Sequence, residues 1–211
     1  FYQRIQTGAP LLLPAELCLR ALGTTTLAAQ IPNVLYLVLL AVLASAAMRT
    51  LVPPAGTPWI LLAVLATPFL FEYGLRGYGE LPATFYVLLL AAALAARHES
   101  PKLTLRAAAV GGIALGMAVL TKTVMLIVVP PLVLTLLFDW AMTRNTSWRA
   151  ILVLTLCALA PLASYEAWKW TALGAEGYHA WWDNQSGAIM TQAGVTGRMS
   201  DTPGLSAKVT T

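Results

Sequence analysis

Leu27–Met48 is a run of about 22 residues with no charged side chain, long enough as a helix to cross the roughly 30 Å hydrocarbon core of a bilayer. It is not isolated. Val52–Phe71 is a second apolar run, broken by Pro53, Pro54, Pro58 and Pro68. Leu81–Ala96, Leu105–Leu120, Val124–Phe138 and Ala150–Tyr165 follow at about 15 or 16 residues each, a little under the usual span. Local thinning of the bilayer and flanking anchors accommodate short spans. A water-soluble chain of 211 residues could not bury all of these runs at once. The composition agrees: 58% of residues are hydrophobic and 10% charged, where soluble domains carry about 25% charge. The expected fold class is therefore all-α, a polytopic helical membrane protein. Pro10–Leu22, interrupted by Pro14, Glu16 and Arg20, reads as an interfacial or re-entrant helix.

Basic residues set the expected topology. Arg49 follows the first long span, Arg97, His98, Lys102 and Arg106 sit together, and Arg144 and Arg149 form a third group. The positive-inside rule places all three on the cytoplasmic side. The stretches between them must then cross an even number of times. Phe71–Glu80 and Thr121–Lys122–Thr123 become the turns of two hairpins and face outward. Ala150–Tyr165 exits outward and delivers 166–211 to the external side as a loop or the start of a further region, Gly/Ser/Thr-rich from Gly187 on. Trp168, Trp170, Trp181 and Trp182 suit an aromatic belt at the headgroups better than a substrate platform.

Within this hydrocarbon-rich chain Glu72, Arg76, Glu80 and Lys122 stand out, because charges in or beside a membrane are costly and mark function. With Arg4 they fall on the expected external face. A carboxylate can act as base or bind a sugar hydroxyl or a metal, and Arg and Lys can clamp a phosphate. Each has a plainer reading. Glu80 opens an apolar helix, where the dipole favours an acid. Arg76 can pair with Glu72 or Glu80. Lys122 can snorkel to the headgroups. His179 reads as a surface-loop histidine. Gly111, Gly112 and Gly116 suit close helix packing. Cys18 and Cys157 read as small buried hydrophobes, without disulfide or metal spacing. Asn145–Thr146–Ser147 fits a glycosylation acceptor but falls on the cytoplasmic side, and Asn184–Gln185–Ser186 is a pattern frequent by chance. Neither a Ser/His/Asp arrangement, a phosphate-cradling glycine loop nor a metal-ligand cluster is present in the sequence. The net charge of +4 is scattered singly, unlike a nucleic-acid footprint, so no nucleic-acid partner is expected.

Three segments in order, TGAPLLLPAELCLRALG (Thr7–Gly23), PFLFEYGLRGYGELPATFYVLLLAAALAAR (Pro68–Arg97) and GIALGMAVLTKTVMLIVVPPLVL (Gly112–Leu134), resemble the GT-C superfamily of membrane glycosyltransferases. In style they are similar to the bacterial dolichyl-phosphate-mannose-protein mannosyltransferase-like and aminoarabinose-transferase-like proteins. The resemblance covers Thr7–Tyr165 and lies in order and spacing, with no one motif carrying it. It implies a GT-C-like transmembrane bundle in a multi-pass protein of the cell membrane, in bacteria the inner membrane. It implies transfer of a sugar from a polyprenyl-phosphate donor to a protein, lipid or glycan acceptor on the external face. Carried over by position, Lys122 matches the family's turn lysine near the donor phosphate, and Glu80 the acid opening the fourth span and lining the same cavity. Arg76 as a second phosphate ligand, and Glu72 and Arg4 as cavity-lining residues, enter by location alone. The family's catalytic acid precedes the part matched here, so the base is expected upstream of Phe1, and the chain is expected to be an inactive piece of a longer enzyme. The family includes metal-dependent and metal-independent members, so no cofactor is fixed and a divalent metal stays open. A polytopic transporter or lipid flippase, or a non-catalytic membrane assembly subunit, is the alternative.

Overall fold

The computed structural model of the chain describes residues 8–48, 59, 62, 63, 67, 79–95 and 102–192. Among them every regular element is helical: α1 (Ala9–Leu22), α2 (Thr26–Met48), α3 (Glu80–Ala95), α4 (Leu105–Thr121), α5 (Val129–Phe138) and α6 (Trp148–Gln192). A 3-10 stretch, Thr123–Val128, leads into α5, and a π-helical turn, Asp139–Thr143, leads out of it. The chain divides into two compact units, Phe1–Tyr165 and Glu166–Thr211. The expected span 52–71 lies almost wholly outside the described residues.

Among the described residues, three stretches are long and apolar enough to cross a membrane: Thr26–Met48, Thr123–Thr143 and Trp148–Asp183. α3 and α4, with 16 and 17 residues, are about 24–26 Å long at 1.5 Å per residue. Large apolar side chains point outward along these helices, among them Val34, Leu35 and Val38 on α2 and Ile127, Leu134 and Phe138 around α5. In water each would forfeit about 25 cal/mol per Å² of exposed apolar surface. Hydrocarbon removes that cost, so the outward faces fit lipid.

Local chemistry starts and stops the helices. Thr25 Oγ1 accepts a hydrogen bond from Ala28 N at 3.1 Å and Thr104 Oγ1 one from Ala107 N at 3.2 Å, capping α2 and α4. Ser147 Oγ does the same for α6 through Ala150 N at 3.2 Å. α1 begins after Gly8 with Pro10 in its first turn, where a missing N–H is harmless. α4 ends because Lys122 adopts an extended conformation, φ −147° and ψ 122°, while its N–H still donates to Ala118 O.

The core of the first unit is built around α4. Leu90, Leu115, Leu132, Leu136 and Leu154 bury against one another around the small residues Ala108 and Ala114. A second cluster joins Leu11, Tyr36, Leu40 and Leu81 from α1, α2 and α3. The spaced glycines expected to allow close packing do so. A Cβ on Gly112 would collide with the Leu154 carbonyl and lie 2.8 Å from Cys157 Cβ, and one on Gly116 would meet the Ala158 carbonyl and Pro161 Cγ. The backbones of α4 and the first half of α6 are thus in direct contact, the use of small residues that lets helices associate in lipid.

Two expectations need correction. Cys18 and Cys157 are free but only partly buried, Cys157 lying against Gly112 of α4. The stretch beyond Tyr165 is helical as far as Gln192, where a loop is expected from Gly187. Ala, Trp, Leu and Glu through this segment sustain a helix, and Gly174, at φ 69° and ψ 174°, is the residue with non-helical backbone angles. That left-handed φ suits glycine.

Candidate functional site at one end of the helical bundle

The geometry begins with the end of α4. Thr121 is fully buried and its Oγ1 donates back to Met117 O at 2.8 Å, closing the last turn. The extended backbone of Lys122 then turns the side chain away from the helix, and its Nζ forms an ion pair with Glu80 Oε1. The two side chains are only 17% and 23% exposed, which places the lysine against the protein. Glu80 is the first residue of α3, preceded by Gly79 at φ 81°. As an acid in a first turn it also meets the positive end of the helix dipole.

A third chain segment reaches the same place. Gly8 N donates to Thr121 O at 2.9 Å, and a Cβ on Gly8 would run into the Leu120 carbonyl. The start of α1, which has no side-chain cap, therefore abuts the end of α4. Tyr36 OH donates to Pro10 O at 2.9 Å and lies 2.9 Å from Tyr86 OH. Since its one hydrogen goes to Pro10, Tyr36 accepts from Tyr86. This relay ties α1, α2 and α3 together, and the rings of Tyr36, Phe85 and Tyr86 pack at 5.2–5.9 Å between centroids.

The polar end so formed has unmet hydrogen-bonding capacity. Among the described residues, Glu80 Oε2 is buried without a hydrogen-bond partner, as is Asn33 Oδ1 on α2. An ion pair held largely out of water pays desolvation that Coulomb attraction does not always return, and an unpaired buried acceptor adds to that cost. The helix N-termini of α1 and α3, together with the Lys122 ammonium, put positive potential here; Glu80 supplies the opposing charge.

At the other end of α4, Leu103 N donates to Asn145 O at 2.9 Å, and Thr146 Oγ1 reaches Asp139 Oδ2 at 3.3 Å. The basic segments containing Lys102 and Arg106 and containing Arg144 and Arg149 thus share one end of the bundle. Glu80, Lys122 and Gly8 share the opposite end. Arg4, Glu72 and Arg76, also expected near Lys122, lie outside the described residues. Among the described residues no group of three or more His, Cys, Asp or Glu side chains could hold a metal ion.

The second unit carries its own polar cluster. Lys169, 4% exposed, pairs with Glu166 at 2.7 Å, and its Nζ lies 3.2 Å from the centroid of the Trp181 ring. Tyr178 OH donates to the other Glu166 oxygen at 2.8 Å. His179, expected on a surface loop, is helical, with its ring edge-on to Trp170 at 5.8 Å. Of the four tryptophans expected as a belt, Trp168, Trp170 and Trp182 keep about half their surface exposed, while Trp181 covers the lysine. The i, i+3 spacing of Glu166 and Lys169 was visible in the sequence as a helical ion pair; the aromatic cover across Gly174 left no sequence signal.

No protein-family model, no curated protein and no solved structure matches this chain.

Proposed function

We propose that this chain is the membrane-embedded part of a glycosyltransferase, which moves a sugar from a polyprenyl-phosphate-linked donor to a protein, lipid or glycan acceptor on the external face of the cell membrane. The observation that carries this reading is the Lys122–Glu80 pair, assembled from two turns at one end of an otherwise apolar helical bundle. The GT-C resemblance expects a phosphate-contacting lysine and a cavity-lining acid at these two positions, and the fold brings them into contact. Lipid-facing helices beside the site suit a donor whose polyprenyl tail stays in the bilayer. The ammonium of Lys122 would offset charge as the sugar leaves its phosphate, the kind of electrostatic stabilisation that works best in a site shielded from water. Glu80 is assigned to positioning, and no residue of this chain is assigned as the attacking base.

The test is Lys122→Ala and Lys122→Arg in the full-length protein, assayed for sugar transfer at varied donor concentration. A charge-assisted contact contributes about 1.5–3 kcal/mol, so the Ala variant should lose roughly tenfold to a hundredfold in donor use, with part restored by Arg. Loss of thermal stability with donor dependence intact would identify the pair as a structural tie and remove the phosphate-binding role.

A further inference from the structure

The Glu80–Lys122 pair is incompletely satisfied on both sides, and the two deficits have opposite character. The lysine ammonium carries three N–H donors. Among the described residues Glu80 is its only hydrogen-bonded side-chain partner, through Oε1. The glutamate, for its part, has Oε2 buried and unpaired. A buried carboxylate oxygen calls for a donor, and the remaining ammonium hydrogens call for acceptors. An anion without a hydroxyl answers only the lysine, and a neutral polyol can answer both but offers the ammonium no charged acceptor. A phosphodiester that bears hydroxyl groups answers both, with a charge-assisted contact on the lysine side.

We propose that Glu80 and Lys122 form one subsite that recognises a hydroxyl-bearing phosphodiester, with the phosphate oxygens on Lys122 Nζ and a hydroxyl of the same molecule donating to Glu80 Oε2. This rests on the glycosyltransferase reading for its natural ligand, a lipid-linked sugar phosphate, and adds that Glu80 selects the sugar-loaded carrier over the bare one. Oε2 is closed to solvent in the ligand-free arrangement, so the hydroxyl meets it after the carboxylate swings. A half-turn of the terminal torsion only exchanges the two oxygens, so that movement is a change of a higher side-chain torsion of Glu80 between staggered wells. The subsite also explains why a costly half-buried pair persists without full internal satisfaction: its remaining capacity is taken up on binding.

Glycerol-bearing membrane phospholipid has the same chemistry, so the experiment separates the two sources. The full chain, reconstituted in phosphatidylcholine nanodiscs, is titrated by tryptophan fluorescence with three probes: polyprenyl phosphate, polyprenyl-phosphate hexose and phosphatidylglycerol. The proteins are the wild type, Glu80→Met, Glu80→Gln and Lys122→Ala. Glu80→Gln keeps a hydrogen bond to Lys122 and so guards against a folding defect in the methionine variant. The proposal expects wild type to bind polyprenyl-phosphate hexose about tenfold more tightly than polyprenyl phosphate, a charge-assisted hydrogen bond's worth. Both Glu80 variants should erase that preference, and Lys122→Ala should weaken both lipids. Preference for the hexose lipid retained in both Glu80 variants overturns the subsite while leaving the glycosyltransferase reading in place. A Glu80-dependent response to phosphatidylglycerol alone keeps the subsite and removes that reading. Binding of none of the three probes by wild type overturns both.

Discussion

Three neighbouring glycines on α4 should respond in opposite directions to the same one-carbon change. Gly112 and Gly116 face the first half of α6, where an added Cβ lies 2.8 Å from Cys157 Cβ and 2.5 Å from Pro161 Cγ, besides meeting the carbonyls of Leu154 and Ala158. Carbon atoms pack best at about 3.5–4.0 Å, so the two helices must part by on the order of 1 Å. A helix carbonyl cannot rotate aside as a side chain can. Overpacking of this kind costs about 1–3 kcal/mol, and the better helix propensity of alanine returns about 1 kcal/mol. The net expectation for Gly112→Ala or Gly116→Ala is a loss of up to about 2 kcal/mol each. Gly111 is different: its added Cβ would meet Leu90 Cδ1 at 3.2 Å and Ala93 Cβ at 3.8 Å. The first is the mobile end of a leucine and the second is ordinary contact. Gly111→Ala should therefore be neutral or stabilising by up to about 1 kcal/mol. Reversible unfolding in mixed micelles on titration with sodium dodecyl sulfate measures all three. Equal destabilisation at 111 and 112, or a stabilisation at 112 and 116 equal to that at 111, would refute the direct backbone contact between α4 and α6.

Tyr36→Phe removes the hydroxyl between Pro10 O and Tyr86 OH and should cost about 1 kcal/mol; hydrogen exchange of the α1 amides should quicken, and unchanged α1 protection would show that the relay does not hold α1. For topology, single cysteines at Lys102 and at the exposed Thr123, in a background with Cys18 and Cys157 replaced, should differ in labelling by an impermeant maleimide in intact cells. Position 123 should react and position 102 should not, and the reverse pattern would turn the protein over in the membrane.

Element existence was legible because hydrocarbon runs leave the backbone few alternatives: in lipid every N–H and C=O must be paired internally, and a helix does so within one segment. The stop at Thr121–Lys122–Thr123 was legible for the same reason, as the charge interrupts the run. The contact of Glu80 with Lys122 was not, since 42 residues separate them and a helix apolar on all sides does not announce which face meets a neighbour. Turn parity placed the two residues at the same end without placing them in reach. Gly8 is a close-approach residue, which only the position of Leu120 reveals. Beyond Tyr165 the polar residues read as loop because single tryptophans and glutamates fit either state. What decides for helix is Lys169 packed beneath Trp181, a partner from the far side of Gly174.

The separation of the two charges along the chain has a consequence for how the protein is made. At about 5–20 residues per second, the ribosome delivers Lys122 roughly 2–8 s after Glu80, given the 42 residues between them. For that interval Glu80 stands at the mouth of α3 without its counter-ion. A nascent carboxylate in that position resists being drawn further into hydrocarbon, so it would fix how deep α3 sits before α4 emerges. Lys122 then arrives at a depth already set by its partner. Neutralising Glu80 would be felt first as a sliding of α3 during insertion, before any property of the finished protein changes.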